Sequence, residues 1–376
     1  MKLRGCLVNV VRAGVLLAAL VLAVLVLTPQ GRAAAKSAGF LVEVFPSAPI
    51  YPLRLATAEP EVAEVRYNVD GVETVADMYR PSGDERRAAM IFYIGVGPER
   101  RNPHVVRVSK ALARTGLVVL VPVSPELSRF RVTASEPENV VAAFEYLQRQ
   151  PLVDPERIGM MGISAGGSLM AVAATDPRIR DEVRLIEIFG GYYDSDNVLS
   201  ALTLRKIQVE GEWRAWTPEP VSVDVFRDMM LETLPPADRK PLVPLFQQTS
   251  STIPQGLSPP ARALAELLVN RDPARVEALT AALPPATEAL LTNISPESRI
   301  GELRTEVFLM HDRDDHIIPF TESRRFRDGA AAAREVHLTE LRLFRHVEPS
   351  GGGPVALVRE GGKLYVHVYS VLRALE

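Results

Sequence analysis

The feature that most limits how this chain can fold is an alternation of unbroken apolar runs with segments of helical spacing. Residues 88–94, 117–123 and 158–163 are apolar almost throughout, as strands are when helices cover both faces of a sheet, and 183–189 reads as a further strand. Between them, residues 104–115 and 136–150 read as helices: Val140, Val141, Phe144 and Leu147 fall on one face of the second, and Gly116 closes the first. Strand and helix in turn predict an α/β protein with a mostly parallel, doubly wound sheet, in which ligands bind at the carboxyl ends of the strands. Ahead of this core, residues 63–67 and 74–79, joined around Asp70-Gly71, predict an antiparallel hairpin.

Between residues 194 and 304 the alternation stops, and short helical pieces at 223–234, 241–247, 259–270, 273–283 and 285–292 follow one another between prolines. Ser258-Pro259 and Asp272-Pro273 each pair a capping side chain with a proline in the first turn. Helices this short need a surface to pack on, and the strand ends supply one, so the segment is expected to form a helical cap. The sheet resumes at 306–310, with a helix at 321–334, a last strand at 335–344, a glycine-rich turn at 350–353 and a final helix at 362–375. The expected organisation is a leader over 1–35, a core of 36–193 and 305–376, and a cap over 194–304.

Lys2, Arg4 and Arg12 precede an apolar run at 13–27, followed by Pro29 and Ala33-Ala34-Ala35. This is the pattern of an export signal, with cleavage expected after Ala35. Left uncleaved, residues 13–28 would form an anchor with the body outside the cytoplasm. That segment is therefore the only expected contact with a membrane. Cys6 is the single cysteine and excludes an internal disulfide. The net charge of −3, without a basic patch, gives no surface for nucleic acid.

Chemistry is expected where the run at 158–163 meets Gly162-Ile163-Ser164-Ala165-Gly166. Glycines two residues before and after Ser164 leave room for a sharp strand-to-helix turn that lifts the hydroxyl clear of the sheet. The turn also puts the Ala165 N–H at a helix N-terminus, where unpaired donors favour an oxyanion. A serine nucleophile needs an imidazole as base and a carboxylate to orient it. Of six histidines, His346 sits just past the last predicted strand of the sheet and is chosen as base. His104, His311, His316, His337 and His367 are read as bystanders. The acid is expected from Asp312-Arg313-Asp314-Asp315, with Asp315 preferred because it comes late in the loop and Asp314 second. The cluster lacks the D-x-D-x-D-G order of a calcium loop, so no metal is assigned and no cofactor is required.

These residues carry a resemblance. The order Ser164, Asp315, His346 on an alternating sheet resembles the α/β-hydrolase superfamily. The segment 154–167 is similar to the serine segment of its dienelactone hydrolase and prolyl oligopeptidase-like branch. His311-Asp312-Arg313-Asp314-Asp315-His316-Ile317-Ile318-Pro319 resembles that superfamily's H-G-x-x-D-x-x-V-P acid loop and selects Asp315, and Phe344-Arg345-His346 fits the histidine after the last strand. Two positions depart from the pattern: Ile94-Gly95 stands where many members have His-Gly, and Asp312 replaces a glycine. The resemblance implies a second oxyanion donor after the strand 88–94, the backbone N–H of Val96.

The leading expectation is an exported serine hydrolase that cleaves a small carboxylic ester through an acyl-enzyme. A prolyl oligopeptidase-like peptidase is the nearest alternative, although fewer than a hundred residues precede the core, which leaves no room for the β-propeller of those enzymes. A catalytically silent, membrane-tethered binding protein is the alternative from another class, against which the complete set of triad residue types argues. Trp213, Trp216, Phe226, Met229, Met230 and Phe246 are read either as an acyl pocket or, preferentially, as the cap's own core.

Overall fold

A computed structural model of the chain describes residues 27–45, 49–97, 99–349 and 354–376. In chain order its strands are β1 (Glu61–Val69), β2 (Val72–Arg80), β3 (Arg87–Tyr93), β4 (Val118–Pro122), β5 (Val153–Ile163), β6 (Leu185–Phe189), β7 (Lys206–Val209), β8 (Glu212–Ala215), β9 (Glu306–Asp312) and β10 (Glu335–Leu341). Eight of them form one sheet in the order β1-β2-β4-β3-β5-β6-β9-β10, and β7 and β8 pair separately. β1 and β2 are antiparallel, as are β2 and β4, while every other neighbouring pair in the large sheet is parallel. The β1–β2 turn uses Asp70 and Gly71, both at positive φ (48° and 86°), the geometry whose twist suits a two-residue hairpin.

Helices cover both faces because the apolar strands send alternate side chains to opposite sides. On one face Val118 and Leu120 pack with Phe144 and Leu147 of α3 (Glu136–Gln148) and Leu169 of α4 (Ala165–Ala173), two helices that follow α1 (Pro29–Val44) and α2 (Pro103–Arg114). On the other face Val119 and Val121 share a core with Leu112 of α2 and with Val371 and Leu372 near the C-terminus. Between β6 and β9 the chain forms the helical insertion: α5 (Ser195–Leu204), the β7–β8 hairpin, α6 (Pro220–Glu232), α7 (Pro236–Phe246), α8 (Pro259–Val269) and α9 (Pro285–Ile294). α10 (Thr321–Gly329) and α11 (Pro354–Ala374) complete the core. α10 is shorter than the pattern predicted and α11 longer, and the sequence reading missed both α5 and the β7–β8 hairpin.

The expected membrane contact through the N-terminal segment is corrected. Among the described residues no helix is long and apolar enough to cross a membrane; residues 13–26 of the apolar run lie outside them. The adjoining α1 crosses the expected cleavage point at Ala35 and packs into the body of the protein. Ala33 and Ser37 are fully buried, Lys36 Nζ reaches Glu376 at 2.6 Å, and the Tyr365 hydroxyl donates to the Ala34 carbonyl at 3.3 Å.

Candidate active site

β5 delivers Ser164 at its carboxyl end. The residue adopts φ 56°, ψ −138°, a combination that costs a side-chain-bearing residue about 1–3 kcal/mol and is kept only where the surroundings impose it. They do so here: Ser164 N donates to the Phe189 carbonyl at 2.8 Å and Gly167 N to the Ser164 carbonyl at 3.0 Å, which fixes the turn between β6 and the start of α4. The loop after β3 lies against it, and a β-carbon on Gly95 would sit 2.7 Å from Ser164 Cβ. Ala165 opens α4, so its N–H has no intrahelical acceptor. Ser164, Ala165 and Val96 border one pocket.

The acid and the imidazole arrive from β9 and from the turn after β10. Asp315 is almost fully buried. Its Oδ1 accepts from the backbone N–H groups of Ile317 (2.7 Å) and Ile318 (3.0 Å), and its Oδ2 pairs with His346 Nδ1 at 2.7 Å. Burial alone would raise the Asp315 carboxyl, but the facing imidazoles of His346 and His311 outweigh it and hold the group well below the ordinary carboxylate range. Asp314, the second choice from sequence, is exposed. His346 sits at φ 57° between the paired segments Phe344–Arg345 and Glu348–Pro349. Phe344 stacks edge-on against Phe189 at the end of β6, 5.1 Å between ring centres.

Gly190 shows how tightly this corner is closed. It has φ 65°, and a β-carbon there would lie 3.1 Å from His346 Nδ1 and 3.5 Å from Asp315 Oδ2. The next residue, Gly191, approaches the Ser164 carbonyl in the same way, at 3.4 Å. The structure thus joins Asp315 to His346 directly beside Gly190, and the backbone carbonyl of Ser164 lies beside the adjacent Gly191. Among the described residues no hydrogen bond links Ser164 Oγ to His346.

Two residues that the sequence reading set aside belong to this arrangement. His311, taken as a bystander, is fully buried, with Nε2 3.2 Å from Asp315 Oδ2 and Nδ1 2.7 Å from Ser323 Oγ. Its sequence signal was present, as the first residue of the acid-loop pattern. Asp312, the departure from that pattern, accepts from the N–H groups of Leu343 and Phe344 at 2.7 Å each. It thereby ties the acid loop to the turn that carries His346.

The insertion grips the acid loop. Trp216 Nε1 donates to the Asp315 carbonyl at 2.9 Å, Glu219 N to the His316 carbonyl at 2.7 Å and Ser222 Oγ to the Ile317 carbonyl at 2.8 Å. Trp216→Phe keeps an aromatic ring, though a smaller one, and leaves a buried carbonyl without its donor. The expected cost is about 1–2 kcal/mol of unfolding free energy, read from urea denaturation; an unchanged midpoint would show the bond to be idle. Of the other candidate pocket residues, Phe226 and Met229 do border the pocket, Met230 and Phe246 pack inside the insertion, and Trp213 is exposed.

A second buried carboxylate fastens the root of the insertion. Glu322 Oε2 accepts from Tyr193 N (3.0 Å) and Asp194 N (2.9 Å), and Oε1 accepts from Asn197. Burial, offset only in part by these donors, pushes the Glu322 carboxyl up from 4.5 to about 7. A raised carboxyl pKa favours the folded state most below the unfolded value and loses that contribution as pH climbs through the folded one. Wild-type stability is therefore expected to fall relative to Glu322→Gln between pH 4.5 and 7. Urea midpoints at pH 5 and 7.5 measure this, and parallel profiles for the two proteins would refute it.

Metal-ligating side chains cluster elsewhere. Glu306, Glu335 and His337 have ligand atoms within 4.8 Å of one another, but they start β9 and β10, at the opposite end of those strands from Asp315.

A comparison with curated protein sequences gives no match. The prolyl oligopeptidase family profile matches residues 129–179, which include Ser164. Among solved structures, an acylaminoacyl peptidase in complex with a chloromethyl ketone is 15% identical, with TM-score 0.50, over 83% of this chain and 42% of that one. Dipeptidyl peptidase 4 of Porphyromonas gingivalis is 13% identical, with TM-score 0.49, over 84% of this chain and 35% of that one. Dienelactone hydrolase of Anabaena variabilis is 13% identical, with TM-score 0.44, over 82% and 99%. The chain spans less than half the length of the two peptidases. With its sheet order, its strand-to-helix turn at Ser164 and its helical insertion, the chain has the fold of the α/β-hydrolase superfamily, with resemblance to dienelactone hydrolase, acylaminoacyl peptidase and dipeptidyl peptidase 4-like peptidases.

Proposed function

We propose that this protein is a serine hydrolase that cleaves small carboxylic esters through an acyl-enzyme. Fold and relatives support a hydrolase of esterase or peptidase type. The observation that carries the finer reading is the pairing of Asp315 with His346 Nδ1 at 2.7 Å, beside Gly190, whose neighbour Gly191 lies against the Ser164 carbonyl. With Nδ1 committed to the carboxylate, Nε2 is the nitrogen left for proton transfer.

In this mechanism His346 Nε2 takes the Ser164 hydroxyl proton as Oγ attacks the ester carbonyl carbon. The carbonyl oxygen, now an oxyanion, accepts from the N–H groups of Ala165 and Val96. Collapse breaks the bond to the alcohol oxygen, which leaves with the proton held by His346. Water, deprotonated by the same imidazole, then releases the acid and restores Ser164. Asp315 fixes the imidazole tautomer and stabilises its charged form.

A fluorophosphonate probe tests this directly. It is expected to label Ser164 and abolish turnover of 4-nitrophenyl esters, and labelling of a different residue would overturn the assignment. The peptidase reading is supported by the profile match across the serine segment; turnover of aminoacyl nitroanilides at rates matching the esters would favour it.

A further inference from the structure

The pocket beside Ser164 has a one-sided chemistry. Its outer wall is a stripe of α6, Val221, Val225 and Met229, spaced four residues apart so that they share one helix face. Besides Ser164, two side chains in the lining carry hydroxyls, and both are spent on backbone: Ser222 Oγ donates to Ile317 O at 2.8 Å and the Tyr192 hydroxyl to Ile294 O at 3.2 Å. Among the described residues no charged side chain lines it. The pocket is bordered by the proposed nucleophile and both proposed oxyanion donors, but not by His346 or Asp315.

That last point assigns a side of the substrate. The leaving alcohol has to exit next to the imidazole that protonates it. A pocket that touches Ser164, Ala165 and Val96 and stays clear of His346 therefore lies on the acyl side. We infer that the site takes esters whose acyl part is an uncharged hydrocarbon chain, seated against the Val221, Val225 and Met229 stripe, with the alcohol leaving past His346. The inference rests on the serine hydrolase reading above. A carboxylate or ammonium in this pocket would lose its water and find no partner, whereas each methylene gains from leaving water.

The test uses full-length protein and 4-nitrophenyl esters that differ only in the acyl part. From acetate through butyrate to hexanoate, kcat/KM is expected to rise, by up to about fourfold for each methylene that the pocket buries. The hemiglutarate, close in length to hexanoate but ending in a carboxylate, is expected to fall at least about 100-fold below it. Val225→Thr keeps the shape and adds a hydroxyl to the stripe, and is expected to lower the hexanoate-to-acetate ratio of kcat/KM about threefold. Fluorophosphonate labelling runs beside each assay. Labelled Ser164 with equal turnover of hemiglutarate and hexanoate would overturn the acyl assignment and leave the hydrolase reading standing. So would an unchanged ratio in Val225→Thr. Ester turnover without labelling of Ser164 would remove the hydrolase reading and this inference together.

Discussion

Replacement of Ser164 by alanine is expected to lower kcat for 4-nitrophenyl ester hydrolysis by about 10⁴- to 10⁶-fold, as loss of a triad nucleophile does in serine hydrolases. That corresponds to roughly 5–8 kcal/mol of transition-state stabilisation, far more than any structural role of this side chain could supply. Alanine keeps the β-carbon, so the turn at φ 56° is no more and no less strained than before. The lost hydroxyl makes no hydrogen bond to His346 among the described residues, and the stability change is expected to stay within about 0.5 kcal/mol. The combination is diagnostic: a protein that melts like wild type yet neither turns over ester nor takes up fluorophosphonate. A variant with more than about a tenth of the activity would remove Ser164 from the mechanism.

The second large effect is expected at the Asp315–His346 pair, where two substitutions separate orientation from proton transfer. His346→Ala removes the base, with a loss of at least about 10⁴-fold. Asp315→Asn keeps the shape but presents an amide where Oδ2 now faces the Nδ1 of His346, favouring the wrong tautomer, again at about 10⁴-fold. The two differ in stability. The Asp315 carboxylate is almost fully buried and its pKa is depressed, so its contribution is present above the unfolded pKa and is lost only as pH falls through the folded one. At neutral pH, Asp315→Asn is therefore expected to cost about 1.5–3 kcal/mol of unfolding free energy, as losing a hydrogen bond to a buried charged group does. Removal of His346 leaves the Asp315 carboxylate with the Ile317 and Ile318 N–H groups and His311 beside it, and is expected to cost less. Urea denaturation beside single-turnover kinetics separates the two effects, and equal destabilisation by both substitutions would show that the remaining donors do not hold the carboxylate.

The features of this site that the sequence itself shows have local reasons. The turn at Ser164 announces itself because one short stretch must supply strand, tight bend and helix, and only small residues satisfy all three. Asp315 differs from Asp314 by its place late in the loop, just before the chain turns back towards the next helix, and it is the buried one of the two. The insertion was harder. Residues 198–204 of α5 are buried all round, so the stripe that marks a surface helix is missing. β7 and β8 have four residues each, too few to show an alternation. α7 carries Pro241 and Pro244 inside it, where proline normally signals an end, and the sequence reading began that helix late. His311 was misjudged because closeness in sequence was taken to prevent orientation; the bend after β9 folds position 315 back onto position 311.

The attachment of residues 216–222 to the acid loop bears on how substrate gets in. A lid hinged as one piece would have to pull Trp216, Glu219 and Ser222 off the carbonyls of residues 315–317, and with them the support of the carboxylate that steadies the imidazole. Admission by wholesale lifting would dismantle the chemistry it serves. Any opening that leaves the acid supported has to keep residues 216–222 in place, so this margin of the insertion serves as a buttress and not as a hinged door.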